Sequence, residues 1–245
     1  METTAGVTNS GKVYIVGAGL GDVDYLTVKA QQVLSQAEVL VYDALVGDRL
    51  LELIPVGCER ICVGKRGGKP STPQAEIDRL LVDLCLAGKL VVRLKSGDPF
   101  IFGRTTSEIA ALKTNDCDFE VIPGISSALT APLLVGIPLT DPVLSRGFAV
   151  VTAHEPDALD WEALARMDTL VVLMGGRNLE EIVHQLHKHG RSLHTPVAII
   201  RWAGTPQQQL WVGNLGNIVA QTSDRPLSPC IIVVGEVVKL REYLQ

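Results

Sequence analysis

Short apolar runs alternate with segments of helical spacing along this chain. Val13–Val16, Val39–Tyr42, Arg60–Val63, Leu90–Leu94 and Phe119–Ile122 are brief, rich in β-branched residues and bounded by turn formers, which predicts strands. Between two of them, TPQAEIDRLLVDLCLAG sets Ile77, Leu80, Leu81 and Leu84 on one helical face, with Thr72 and Pro73 as start signals and Gly88 as a stop. After GIPLTDPVLS the alternation resumes, predicting strands at Phe148–Thr152, Thr169–Leu173, Thr195–Arg201, Gln209–Val212 and Cys230–Val234 and a helix at Asn178–His189. Alternation of this kind implies sheets with crossover helices. The expected fold is two α/β domains, residues 12–142 with a mostly parallel sheet and residues 143–245 with a mixed one, divided near the Pro138–Pro142 stretch.

Composition narrows the function classes. At 245 residues, 47% hydrophobic and 20% charged, the chain has the balance of a folded α/β protein. A net charge of −5 argues against a general nucleic-acid partner, which needs a basic face. Cys58, Cys62, Cys85, Cys117 and Cys230 form no CxxC pair, so neither a disulfide framework nor a zinc site is signalled, and reduced thiols are expected. The start, METTAGVTNSG, lacks the basic-then-apolar order of a signal peptide, and no apolar run reaches the roughly 18 residues of a membrane helix. A cytoplasmic protein with no membrane partner is expected.

The first strand runs into Gly17, Ala18, Gly19, Leu20, Gly21 and Asp22. A dinucleotide turn would carry glycine at the sixth position, so that pyrophosphate could sit on the next helix. Here Asp22 stands there, a carboxylate that repels phosphate but caps a helix start well. No Gly-Lys-Ser/Thr follows either. The turn suits a ligand with a nucleoside and no phosphoryl group.

Ligands of open α/β sheets collect at the carboxyl ends of strands. In SGDPFIFGR, the Gly97-Asp98-Pro99 turn precedes Phe100, Ile101 and Phe102, an apolar wall with polar ends suited to an aromatic ligand. Asp43 and Lys65 follow neighbouring strands. Singly they read as a cap and a solvated basic turn; together they are also placed to act as an acid/base pair. His184 and His187 fall off the expected buried stripe of Leu179, Ile182, Val183 and Leu186 on their helix and read as a solvated face, while His154 follows a strand and reads as either a loop or a site residue.

The segments GAGLGD, YLTVKA, VYDALV, VGKRGG, SGDPFIFGR, PGISSA, GIPLT, TLVVLMGG, TPVAII and IIVVGEVV, in this order and over nearly the whole chain, resemble the tetrapyrrole (class III) S-adenosylmethionine-dependent methyltransferases. The resemblance implies S-adenosylmethionine as methyl donor, S-adenosylhomocysteine as product and no metal. It implies a cofactor site in the cleft between the domains, formed by Leu20, Ser96, Gly97, Asp98, Ile101, Ser126, Ser127, Met174 and Ala203. Asp43 matches a proton acceptor and Lys65 a proton donor. The implied reaction is methylation of two pyrrole carbons of uroporphyrinogen III to precorrin-2, feeding siroheme or cobalamin, by a homodimer. Arg66, Lys69 and Arg104 are candidate partners for the substrate's carboxylates. The chain departs from the family pattern at Leu20 (usually proline), Ser96 (glycine), Thr105-Thr106-Ser107 (Gly-Gly-Glu) and Asp141-Pro142 (His-Arg). Rival readings are a later precorrin methyltransferase, the diphthine-forming enzyme, a nicotinamide oxidoreductase, or a cofactor-binding protein without turnover.

Overall fold

A computed structural model describes residues 11–64 and 72–244. The chain divides into two compact units between Ser126 and Ser127. In the first, β1 (Lys12–Gly17), β2 (Val39–Tyr42), β3 (Glu59–Cys62), β4 (Leu90–Lys95) and β5 (Asp118–Ile122) form a parallel sheet in the order β3-β2-β4-β1-β5. The helices α1 (Val28–Leu34), α2 (Asp48–Leu51), α3 (Gln74–Leu86) and α4 (Thr105–Thr114) complete this unit. Because strand side chains alternate between faces, the sheet serves two cores. Val16, Leu40, Tyr42, Val92 and Leu94 pack with Ala30, Leu34 and Leu50 on one side. Val13, Ile15, Val39, Val41 and Val91 pack with Ile77, Leu81, Val82, Cys85 and Leu112 on the other. Each fully buried Val, Leu or Ile contributes about 1.5–3 kcal/mol relative to exposure.

The buried stripe of α3 is Ile77, Leu81, Val82 and Cys85, turned slightly from the expected one, with Leu80 and Leu84 partly buried at its margin. Arg93 and Lys95 share the pleat parity of Val91, so β4 aims both charged side chains at the α3/α4 side of the sheet.

In the second unit, β6 (Phe148–Thr152), β7 (Thr169–Leu173), β8 (Pro196–Arg201), β9 (Gln209–Asn214) and β10 (Cys230–Val234) form a mixed sheet in the order β6-β7-β10-β8-β9. Only β6 and β7 pair in parallel; β10 runs antiparallel to both β7 and β8. α6 (Trp161–Ala165), α7 (Leu179–Lys188) and α8 (Ile218–Thr222) give Trp161, Leu179, Ile182, Leu186 and Ile218 to one core. α5 (Ser127–Leu134) gives Ala128 and Ala131 to the other, together with Val135 and Ile137, and α9 (Arg241–Leu244) ends the described chain.

The membership of α5 moves the division ahead of the Pro138–Pro142 stretch, where turn chemistry suggested it. Ala128, Ala131, Val135 and Ile137 pack with Val171, Ala198, Ile200 and Val233, all of the second unit. The proline-rich stretch is a closed turn inside that unit: Asp141 N–H donates to Ser145 O at 2.8 Å, and Asp141 Oδ1 accepts from the Val143 and Leu144 amides at 2.9 Å. These two backbone donors lower the Asp141 pKa. Among the described residues no helix is long and apolar enough to cross a membrane.

Candidate active site

The carboxyl ends of β1, β4 and β5 meet at three glycines. A Cβ on Gly17 would stand 2.5 Å from Gly124 Cα and 2.6 Å from Gly97 O, and one on Gly124 would stand 2.2 Å from Gly97 O. Gly19 and Gly97 exchange backbone hydrogen bonds of 3.2 and 2.9 Å, which joins the first turn to the SGDP loop. The glycines after β1 therefore serve close backbone approach. Gly97, at φ +70°, faces open space on its Cβ side. Ser96 Oγ beside it is buried and makes no hydrogen bond.

Asp98 ties two loops together, with Oδ1 accepting from Phe100 N–H at 2.9 Å and Oδ2 from Gly124 N–H at 3.2 Å. Leu20 lies half-buried between Gly19 and Gly21, which both adopt positive φ. Leu20, Ser96, Gly97 and Asp98 thus come together on one edge of the sheet, and Ser126 follows two residues after Gly124. Phe100, Ile101 and Phe102 stand exposed beyond the turn.

Asp22 has two jobs in this turn, and neither concerns a ligand. Its Oδ1 accepts from Asp24 N–H at 3.1 Å, and its Oδ2 accepts from Arg49 at 2.7 Å. The helix α1 starts only after the short 3₁₀ turn Val23–Tyr25, under its own Thr27 cap. The first turn therefore presents no helix N-terminus for a phosphate.

Next to the glycine edge lies a buried charge cluster. Arg93 Nη2 is 2.7 Å from Asp43 Oδ1 and Arg93 Nε is 3.0 Å from Glu108 Oε1, while Lys95 Nζ is 2.7 Å from that same Glu108 oxygen. The side chains of Arg93, Lys95 and Glu108 are at most 3% exposed, whereas Asp43 is 31% exposed and is the member that reaches solvent. Burial opposes the Arg93 charge, but Asp43 and Glu108 outweigh it and raise the Arg93 pKa. The Lys95 pKa moves down, first from burial and then from the like charge of Arg93. The two cations share the Glu108 carboxylate, and Arg93 has Asp43 as a second carboxylate in ion-pair contact.

Arg93, Lys95 and Glu108 are the site residues that motif reading passes over. A signal exists: LVVRLK puts two charges at period 2 on a strand otherwise apolar, which demands a buried partner. The Thr105-Thr106-Ser107 departure is absorbed by packing. Thr105 Oγ1 donates to Pro99 O, and Ser107 Oγ donates to Asp78 on α3. Arg104 is exposed, in the left-handed region at φ 55°, where it precedes α4.

In the second unit, Met174 follows β7 and Ala203 follows β8. These strands flank β10 and end at the same edge, with Leu173 opposite Ile231 and Arg201 opposite Cys230. Met174 and Trp202 are both non-glycine residues at positive φ, 56° and 51°. Strained backbone of this kind gathers at ligand-binding positions. Ser127 opens α5 in the same unit.

Lys65, Arg66 and Lys69 lie outside the described residues. Gly64, just before them, brings its backbone against Ala44, where a Cβ would stand 2.1 Å from Ala44 N. His154, His184, His187 and His194 are exposed, and His189 bonds the Gln185 carbonyl through Nδ1 at 2.8 Å. Among the described residues no group of three or more His, Cys, Asp or Glu side chains gathers as a metal site would require.

The profile of the tetrapyrrole (corrin/porphyrin) methylases matches residues 12–219. The chain belongs to this family. Its relatives include a protein of Synechococcus elongatus named uroporphyrinogen-III C-methyltransferase, 62% identical, with 96% of each chain covered. Another, from Methanosarcina barkeri, is named S-adenosyl-L-methionine-dependent uroporphyrinogen III methyltransferase and is 43% identical over 96% of this chain and 95% of that one. A crystal structure of the Thermus thermophilus uroporphyrin-III C-methyltransferase with S-adenosyl homocysteine superposes with a TM-score of 0.82 at 38% identity, covering 94% of this chain and all of that one. The tetrapyrrole methylase fold thus accounts for the pair of sheets, one parallel and one mixed.

Proposed function

We propose that this tetrapyrrole methylase transfers methyl groups from S-adenosylmethionine to two pyrrole carbons of uroporphyrinogen III, giving precorrin-2 for siroheme or cobalamin synthesis. The observation that carries the reading is the carboxyl edge of the first sheet, where the open face of Gly97 and the ion-paired carboxylate of Asp43 lie on neighbouring strand ends. The names of the close relatives agree with it.

The residues suit the ligand. A nucleoside with a sulfonium needs close backbone approach, apolar contact and polar atoms without a phosphate seat, and the glycine edge, Ile101 and the unpartnered Ser96 Oγ provide them. Leu20, Ser96, Gly97, Asp98, Ile101 and Ser126 of the first unit and Ser127, Met174 and Ala203 of the second are the proposed cofactor residues, with Asp98 acting through the loops it ties. When bound, S-adenosylmethionine supplies a methyl on a sulfonium; the pyrrole carbon's electron pair forms the new C–C bond while the C–S pair stays on sulfur. The protein's share is alignment of the two reactants and removal of the proton the methylated ring must lose. Asp43 takes that proton and Lys65 is the complementary donor. Arg66, Lys69 and Arg104 meet substrate carboxylates.

The reading includes a homodimer in the cytoplasm. Leu129, Leu133, Val143 and Leu244 are exposed apolar residues of the second unit that a partner copy would cover, and five free thiols agree with a reducing compartment. Sedimentation at micromolar concentration checks the dimer, and a monomer mass would refute it. The activity is tested by mass spectrometry of the product from uroporphyrinogen III. Two added methyl groups are expected; unchanged substrate, with methyl transfer instead to a later precorrin or a protein, would overturn the proposal.

A further inference from the structure

We infer that Glu108 is a positioning residue for proton removal, holding Arg93 so that Arg93 in turn fixes and polarises the Asp43 carboxylate. The inference rests on the reading of Asp43 as proton acceptor and extends it to residues for which that reading has no task.

Three observations lead here. Glu108 is fully buried, yet its Oε1 serves both Arg93 Nε and Lys95 Nζ, while its Oε2 is buried without a hydrogen bond. As a structural device this is poor, because buried ion pairs seldom outperform well-packed apolar residues and an orphaned carboxylate oxygen adds a desolvation cost. Second, the chain of contacts runs in one direction. Glu108 engages the Nε edge of Arg93, which leaves Nη2 for Asp43 Oδ1, and Asp43 is the member with solvent access. Third, the elements fix this geometry. Parallel pairing sets Val41 opposite Arg93 and gives the Asp43 amide to Leu94 O at 3.2 Å, while α4 lowers Glu108 onto the same face of the sheet. Departures at strand ends from the rule of an apolar core belong at functional sites.

Among the described residues Arg93 of β4 pairs with Asp43 directly, Lys95 of β4 interacts with it electrostatically, and Glu108 of α4 pairs with both cations. Removing Arg93 takes away the cation paired with the Asp43 carboxylate. Removing the Glu108 charge does the reverse, since Arg93 is then committed to Asp43 alone and makes it a weaker base. The two substitutions therefore push in opposite directions, which loss of packing would not do.

The test is the pH profile of single-turnover methylation of uroporphyrinogen III by Arg93→Gln, Glu108→Gln and Asp43→Asn, with S-adenosylhomocysteine affinity measured by calorimetry on the same preparations. Affinity near that of the unaltered protein is expected throughout. Arg93→Gln moves the acidic limb to higher pH by about 1–3 units, the usual effect of one adjacent charge. Glu108→Gln moves it to lower pH, and its plateau rate falls about tenfold as the base weakens, a fraction of the roughly 10²–10⁴-fold that acid/base assistance supplies in full. Because Glu108 acts through Arg93, the Arg93→Gln/Glu108→Gln protein, which keeps the site's net charge, reproduces the profile of Arg93→Gln alone. It also serves as the test if Glu108→Gln does not fold. Limbs that move together, limbs unmoved while Asp43→Asn abolishes turnover, or additive shifts in the double variant overturn the relay and leave Asp43 as the base. Near-normal single turnover by Asp43→Asn overturns the base assignment and the relay with it.

Discussion

Gly124 Cα lies 2.5 Å from the point where a Cβ on Gly17 would stand. Both atoms belong to backbone at strand ends, so neither can yield by rotating a side chain. Gly17→Ala should cost more than about 3 kcal/mol, beyond the ordinary range for overpacking. Gly97→Ala meets nothing within 4 Å, but its φ of +70° strains any side chain; it should cost only about 1–2 kcal/mol. Urea denaturation of the two proteins distinguishes contact from conformation, and equal losses would refute the distinction.

Asp98 should prove to be a loop tie. Asp98→Ala removes the acceptor for the Phe100 and Gly124 amides, and the expected loss is about 1–3 kcal/mol of stability with weaker S-adenosylhomocysteine binding alongside it. Asp98→Asn keeps one acceptor oxygen and should fall between the two. Lost binding at undiminished stability, read from calorimetry and urea midpoints together, would mean that the carboxylate touches the ligand directly.

Buried and exposed ion pairs should differ sharply. Glu108→Ala strands Arg93 and Lys95 against each other in the core, and breaking a buried pair typically costs about 3–5 kcal/mol. Arg49 and Asp22 pair at the surface, with Arg49 61% exposed, and Arg49→Ala should cost no more than about 1 kcal/mol. Similar denaturation midpoints for the two variants would contradict the burial assigned to Glu108.

The first turn should not bind a dinucleotide. Asp22 is already engaged with the Asp24 amide and Arg49, and α1 begins beyond a separate 3₁₀ turn. Calorimetry should show binding of S-adenosylhomocysteine and none of NAD, and Asp22→Asn should not create NAD binding because no helix N-terminus is uncovered. NAD binding by either protein would refute this account of the turn.

Thiol reactivity should single out Cys62, the exposed cysteine among five free ones. Burial, reinforced by Cys117, pushes the Cys85 pKa up to about 12, and burial does the same at Cys230. Well below that value both remain protonated and unreactive in the folded protein, since the thiolate is the nucleophile. Alkylation at pH 8 followed by mass spectrometry should give one adduct on the native chain and five after urea. A native adduct on Cys85 or Cys230 would refute their burial.

Much of the fold is legible in the residues. The ends of β2, β6, β7 and β10 fall where apolar runs stop, and α7 buries Leu179, Ile182 and Leu186 of the expected stripe. The part of Asp22 as a helix-start cap is also readable locally. The division between units was not. Pro138 and Pro142 look like a linker, but whether α5 belongs before or after the division depends on which sheet covers Ala128 and Ala131.

What the chain by itself determined was whatever depends on near neighbours: strand and helix periods, caps, the glycine-rich turn and the absence of a phosphate seat, because backbone propensity and burial pattern are short-range properties. The strand order β3-β2-β4-β1-β5 decided the rest. By laying β4 between β2 and β1, it set Arg93 against Asp43 and Gly97 against Gly17, residues far apart in sequence. It also gave Glu108 two buried cations to hold. Which charge meets which is settled only when the sheet closes, since each ion pair was solvated separately in the unfolded chain and gains its strength from the low-dielectric surroundings that the packed helices create.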